Sequence, residues 1–272
     1  MNDMKRIKHI LLAAALLLTA QTATVAQVKT LLVSESGLPY SHQTWFAYGS
    51  GDIEQGDITG AWEQGKRITT AAYTDQGWFV IMAEGTPYTM QTYLLSEQWP
   101  EQWVSQKMAE GYAITALSRS PKQWLVVLSQ GSGITRQTVW QNTWQNLEPW
   151  IAEQKNYGYC ITDLAYDGHG WMVVMSQNSP YVSQGYFTTN STNDMMLKIP
   201  QEVWQKGYNL HQVEYGGGCY VVTYGNYAHG DERFQNLQVN PDNAKDYIRE
   251  QWEKGISIAY IGGGYQAKLP KK

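Results

Sequence analysis

Blocks of five apolar residues led by tryptophan recur along the chain: Trp78-Phe-Val-Ile-Met82, Trp124-Leu-Val-Val-Leu128 and Trp171-Met-Val-Val-Met175, with Tyr220-Val-Val as a drifted fourth. In an extended chain Trp171, Val173 and Met175 point one way, and Met172 and Val174 the other. Both faces are apolar, which predicts a strand buried on both sides between stacked sheets. Ahead of each block stands a partly alternating segment of the form Gly-x-x-Ile-Thr, and Gly158 to Tyr166 reads as its strand. Asp167-Gly168-His169-Gly170 between the two is hairpin-turn chemistry. A third strand begins at a recurring glutamine: Gln91, Gln137, Gln184 and Gln235. A proline and a short helical segment then lead to the next glycine, as from Trp103-Val104 to Gly111, Trp150-Ile151 to Gly158 and Tyr247-Ile248 to Gly255.

The glycines at 65, 111, 158, 207 and 255 are 46, 47, 49 and 48 residues apart. A five-residue step from tyrosine to an aromatic is a second ruler: Tyr73 to Trp78, Tyr166 to Trp171, Tyr215 to Tyr220, Tyr260 to Tyr265 and Tyr40 to Trp45, with Arg119 in the tyrosine place of the second full copy. These divide residues 27–272, a single repeat domain, into a partial copy at 28–57, full copies at about 58–103, 104–150, 151–204 and 205–252, and a partial copy at 253–268. The fold class expected is all-β with short helices, a β-propeller-like ring of about five or six blades whose end copies pool strands. An open β/α solenoid is the alternative. In either case the column Trp78, Trp124 and Trp171 reads as core. Trp62 and Trp204 sit three residues before a repeat glycine, and Trp99, Trp140 and Trp144 fall off the columns and read as covers for the helical segments.

Residues 1–26 have the tripartite pattern of a secretory signal peptide: basic Lys5, Arg6 and Lys8, an apolar run from Ile10 to Ala20, and small residues at Thr24-Val25-Ala26. Eleven apolar residues are too few for a span, which needs roughly 20. The expectation is a bacterial-style exported protein, periplasmic or extracellular, with no transmembrane segment after cleavage. Removal of the leader takes away three basic residues and Asp3, moving the net charge from −4 to −6. No basic run interleaved with aromatics is present, which argues against nucleic acid. The 12 Trp and 19 Tyr against 4 Phe favour rings packed inside with a polar edge that reaches a partner. Cys160 and Cys219 invite a disulfide in an exported chain, with two buried reduced thiols as the other reading.

The string Gly158-Tyr-x-Ile-Thr-x-x-Ala-Tyr-x-x-x-x-Trp-x-Val-Val-Met-Ser176, followed by Pro200-x-x-x-Trp204-x-x-Gly-Tyr208, resembles an uncharacterised repeat family. That family occurs in secreted bacterial proteins and in the region after the kinase domain of plant casein-kinase-I-like kinases. The resemblance extends over most of residues 58 to 265 and implies no activity or catalytic residue. Kinase motifs are absent, so kinase function does not carry over.

Candidate chemistry is sparse. His42, His169, His211 and His229 lie at different phases of the repeat, His169 in a turn and His211 in place of the repeat's threonine. There is no Gly-x-Ser-x-Gly elbow, HExxH, EF-hand loop or CxxC, so no metal or cofactor is expected and catalysis is not the favoured reading. A paired-carboxylate glycosidase stays open, since such acids need no local motif. The two glycine triplets, 216–218 and 262–264, sit at the hairpin phase and read as turns.

The connections after the second strand carry the binding expectation. They hold Gly85-Thr-Pro-Tyr88, Gly131-Ser-Gly133 and Asn178-Ser-Pro-Tyr181, and a longer fourth loop with Tyr227, His229, Asp231, Glu232 and Arg233. Tyr88, Tyr181, Tyr227, His229, Asp231 and Arg233 are therefore the candidate ligand-binding residues. Rim loops of repeat rings are common binding surfaces, and tyrosines suit protein or sugar. The partner expected is an unknown protein, with a glycan as the alternative; plain surface turns remain the simpler account.

Overall fold

The computed structural model describes residues 29–49, 52–228 and 234–264. The signal-peptide cleavage site lies outside them. In chain order the first strands and helix are β1 (Leu31–Glu35), β2 (Ser41–Tyr48), α1 (Gln55–Glu63), β3 (Arg67–Thr74) and β4 (Gly77–Glu84). Next come β5 (Gln91–Ser96), α2 (Glu101–Ala109), β6 (Ala113–Arg119) and β7 (Trp124–Ser129). They are followed by β8 (Arg136–Asn142), α3 (Trp144–Asn156), β9 (Cys160–Tyr166) and β10 (Trp171–Gln177). The chain continues with β11 (Tyr181–Thr189), α4 (Thr192–Lys198), β12 (Asn209–Gly216) and β13 (Cys219–Tyr227). It ends with β14 (Gln235–Val239), α5 (Ala244–Glu253) and β15 (Ser257–Gly262). Among the described residues the protein is thus mostly β with short helices, as five three-stranded antiparallel sheets: β2-β4-β3, β5-β7-β6, β8-β10-β9, β11-β13-β12 and β14-β1-β15.

The apolar blocks are the middle strands. Every residue of β7 is buried, and every residue of β4 except Glu84. Their two faces serve different neighbours. Trp78, Val80 and Met82 of one sheet pack on Leu125 and Val127 of the next. Trp124, Val126 and Leu128 pack on Met172 and Val174; Trp171 and Val173 meet Val221; Tyr220 and Val222 meet Leu31 and Val33. Leu32 of β1 then packs on Phe79 and Ile81, so the last sheet touches the first.

The sheets do not coincide with the sequence copies. The glutamine strand of one copy pairs with the tryptophan strand of the following copy, β5 with β7 and β8 with β10. The first and last described strands share a sheet, with β1 as middle strand between β14 and β15. Residues 28–57 follow the same rule as the full copies: their middle strand β1 lies in the sheet of β14 and β15, and their outer strand β2 in that of β3 and β4. Tyr40, however, is not a strand-one tyrosine, because it lies ahead of the outer strand β2. Tyr260 is out of phase in the same way. Its partner Val33 is flanked by Leu32 paired to Ile261, which puts Tyr260 in the register of Thr70 and leaves Gly263 in that of Tyr73. Tyr265 lies outside the described residues.

The recurring glutamine has a physical role in this arrangement. Gln91 Oε1 accepts from the Ile68 N–H (2.7 Å) while its Nε2 donates to the Ile68 carbonyl (2.9 Å), joining the outer strand of one sheet to the inner strand of the preceding one. Gln137 does this to Ile114, Gln184 to Ile161, Gln235 to Leu210 and Gln43 to Ile258. Indole N–H groups of Trp62, Trp204 and Trp252 donate to three of these glutamines.

Gly216 to Gly218 make the β12–β13 turn, as expected. The triplet from Gly262 to Gly264 does not: it runs from the end of β15 between two neighbouring strands. The Gly264 N–H donates to the Tyr73 carbonyl, and the Gly263 carbonyl accepts from the Tyr215 N–H. A Cβ on Gly263 would lie 2.0 Å from the Tyr73 oxygen. Gly263→Ala is therefore expected to cost about 1–3 kcal/mol by overpacking, read as a lowered unfolding midpoint in urea.

Proline placement is less regular than the sequence implies. Pro100 precedes α2, but Pro149 falls inside α3, and Pro200 within a π-type turn, Ile199–Val203, that continues α4. Cys160 and Cys219 are free thiols in different sheets.

Candidate functional site

Every inner strand carries a β-bulge at the same place. The pairing register of β3, β6, β9, β12 and β15 skips one residue, namely Thr69, Thr115, Thr162, His211 and Ala259. Bulges re-aim a side chain out of the pleat, and here all five bulged residues line one cavity of about 270 Å³. The inner strands themselves are in contact in series. The Tyr73 N–H meets the Ser118 hydroxyl, the Leu117 N–H meets Asp163, and the Gln212 amide meets the Thr162 carbonyl. Tyr260 donates to Glu214, and the Ile261 N–H meets the Thr70 hydroxyl.

The cavity wall comes from the loops that enter the outer strands. Pro39-Tyr40, Pro87-Tyr88 and Pro180-Tyr181 each stand three residues before their glutamine and line it, with Ile134 in the equivalent place of a fourth loop. Tyr227, from the end of β13, completes the wall. Three of the residues chosen from sequence, Tyr88, Tyr181 and Tyr227, are thus brought together. The other three, His229, Asp231 and Arg233, lie outside the described residues. Tyr40, which also lines the cavity, is not among the residues chosen from sequence, although the spacing Pro-Tyr-x-x-Gln shared by Tyr40, Tyr88 and Tyr181 points to it.

The floor is polar and lopsided. The Tyr181 ring stacks on the His211 imidazole with centroids 3.9 Å apart and planes 16° apart, and Tyr227 lies 5.3 Å from the same imidazole. Asp163 is buried and accepts the Leu117 N–H at 2.7 Å and the Leu164 N–H at 2.8 Å. Tyr260 donates to Glu214 Oε1 at 2.5 Å, and the Gly263 N–H reaches Glu214 Oε2 at 3.2 Å. Asp163, Gln212 and Tyr260 all occupy the position after the bulge, where other copies have Thr70 and Ala116. Those departures from the repeat were the signal available in the sequence.

Burial keeps these groups uncharged near neutrality. It lifts the Asp163 carboxyl to about 8 against the opposing pull of its two N–H donors. It drives the His211 imidazole down to about 3. Burial, reinforced by Asp163, carries the Tyr88 hydroxyl to about 12. Glu214, deeper in, is raised well above the usual carboxylate range for the same reason.

Stability should follow from these shifts. A buried acid whose folded value is raised binds its proton more tightly when folded, so stability falls as pH rises from its unfolded value, about 4, to its folded one. A histidine with a depressed folded value acts oppositely, losing stability as pH falls below about 6.5. Between pH 6.5 and 8 the acids therefore dominate, and stability is expected to decline by up to about 1.4 kcal/mol per pH unit for each acid. Urea unfolding of Asp163→Asn should show a shallower decline over that interval than the parent; an identical slope would contradict the assignment.

Among the described residues no helix is long and apolar enough to cross a membrane, and no three His, Cys, Asp or Glu side chains are grouped to hold a metal ion. The chain belongs to the family described as Domain of unknown function (DUF7477), which matches residues 2–145. The segments that best carry the repeat resemblance, 158–176 and 200–208, lie beyond that span. No curated protein matches the chain.

Proposed function

We propose that this is an exported, non-catalytic binding module whose five sheets stand as blades around an axis, with a small neutral ligand held in the axial cavity. The return contact of Leu32 with Phe79 and Ile81 supports a closed five-bladed ring over an open solenoid. The leader-like first 26 residues support export.

One observation carries the binding reading: tyrosines from separate rim loops converge on a single concave site with a few buried polar groups at its floor. Ligand sites in proteins have this character, apolar and aromatic walls with a few placed polar groups, in volumes of about 300–1,000 Å³. A concave site of this size suits a small molecule or one sugar unit better than a flat protein epitope. Asp163 and His211 are both held neutral, which disfavours an ionic ligand.

A thermal-shift screen with neutral sugars and polyols beside amino acids, nucleotides and phosphates tests this. Neutral compounds are expected to stabilise, by about 2.7 kcal/mol at 100 times the dissociation constant, and Tyr88→Ala to abolish the shift. Stabilisation by charged compounds alone would overturn the reading. So would no response together with a protein partner captured by the rim loops.

A further inference from the structure

The fourth sheet departs from the second and third by a matched pair of exchanges. In the sheets of β7 and β10 the bulged threonine bonds a serine at the end of the middle strand: Thr115 to Ser129 at 2.7 Å and Thr162 to Ser176 at 2.6 Å. In the register of β12 with β13 the threonine has become His211, and the serine place, opposite Asn209, is Gly225. A Cβ on Gly225 would lie 2.9 Å from the Val182 carbonyl oxygen and the Gln184 Cα, so the strand end is closed up on that side. Imidazole and glycine fit as a set.

The exchange leaves polar atoms without partners. His211 is 4 % exposed and Gln212 2 % exposed, and both line the cavity. The imidazole Nδ1 faces the Gln184 amide at 3.4 Å and the Gly225 backbone carbonyl lies close to the ring, but Nε2 makes no hydrogen bond of good geometry. Gln212 donates from Nε2 to the Thr162 carbonyl at 2.6 Å, while its Oε1 has none. Native proteins leave few buried polar atoms unpaired, and each one calls for an explanation. Here two fall on consecutive residues at one bulge, the first of them under the stacked ring of Tyr181.

We propose that the His211–Gln212 bulge is the recognition element of the cavity and that its ligand is a sugar unit whose neighbouring hydroxyls bond His211 Nε2 and Gln212 Oε1. This rests on the binding reading above and adds the ligand class and the reading atoms. A hydroxyl both donates and accepts, so it satisfies Nε2 in either tautomer and supplies the donor that Gln212 Oε1 requires. A sugar also has an apolar C–H face, which suits the tyrosine wall. Both atoms are closed off from solvent. The Tyr181 ring therefore shifts off the imidazole as the sugar enters, which opens the ring edge that carries Nε2.

The test uses an array of defined mono- and disaccharides, followed by titration of the strongest binder. His211→Phe keeps a ring for Tyr181 to stack on and removes Nε2; Gln212→Leu removes Oε1. Each is expected to weaken binding about tenfold; His211→Phe should change the melting temperature little, whereas Gln212→Leu should lower it as well, because the Thr162 carbonyl loses its amide donor. Monodeoxy versions of the same sugar should reproduce the loss with the parent protein and add none with the matching variant. Should a variant not fold, the deoxy sugars with the parent protein decide. Full affinity in both variants, or tolerance of every deoxy sugar, overturns the bulge assignment and leaves the binding reading standing. Stabilisation by neutral non-sugars alone overturns the sugar class, and binding of nothing neutral overturns both.

Discussion

Trp171→Ala is expected to destabilise the protein by about 3–5 kcal/mol, the cost of removing a large buried ring. The side chain is 4 % exposed. Its ring lies edge-on to Trp144 at 5.9 Å and tilted against Tyr166 at 5.4 Å, and it shares a cluster with Val221 of the following sheet. The substitution opens a cavity between two sheets, and neither can close it without breaking its own ladder. Trp140, whose ring packs on Trp150 but is 39 % exposed, should cost clearly less when truncated. Urea midpoints for the two variants make the comparison. A loss below 1 kcal/mol for Trp171→Ala would show that the column is not core.

Gln137→Ala is the second large expected effect, although glutamine is rarely a stability determinant. Its side chain closes both backbone groups of Ile114, at 2.6 and 2.9 Å, and reaches the Ser176 hydroxyl at 2.9 Å. Truncation orphans an N–H and a C=O beside a buried strand, at about 1–3 kcal/mol per group, so a total of about 2–6 kcal/mol is expected. Gln137→Glu should be no rescue. It can still accept the N–H but sets a carboxylate oxygen against the Ile114 carbonyl. Loss of hydrogen-exchange protection at the Ile114 amide should accompany both changes. Stability within 0.5 kcal/mol of the parent in both variants would contradict the role assigned to the glutamine.

These expectations divide along what the sequence could reveal. The tryptophan strands were readable because burial on two faces is a local pattern, and Trp171 to Met175 displays it within five residues. The Asp167–Gly170 turn was readable for the same reason, and Asp167 does accept the His169 and Gly170 N–H groups. Pairing across copies was not. Nothing near Gln91 says that its strand joins β7 and not β4, because that choice is made by packing between sheets. The five-residue step from Tyr40 to Trp45 matched the strand ruler by coincidence, while the spacing to Gln43 carried the true register. His211 stood out as an exchange for threonine, but a bulge leaves no mark on one sequence, so its place in the cavity could not be read. Asp163 was hidden too. A lone acid in a strand looks solvated until the neighbouring inner strands are known to bury it.

The proposed ligand lies in the cavity lined by the five bulged residues and not on the outward faces of the surrounding loops. A crystal structure with the neutral compound that raises the melting temperature most is the direct measurement. The account predicts density between Tyr88, Tyr181 and Tyr227, with Tyr181 moved off its stack on His211. Density confined to the outward faces of the loops, with that stack intact, would contradict it.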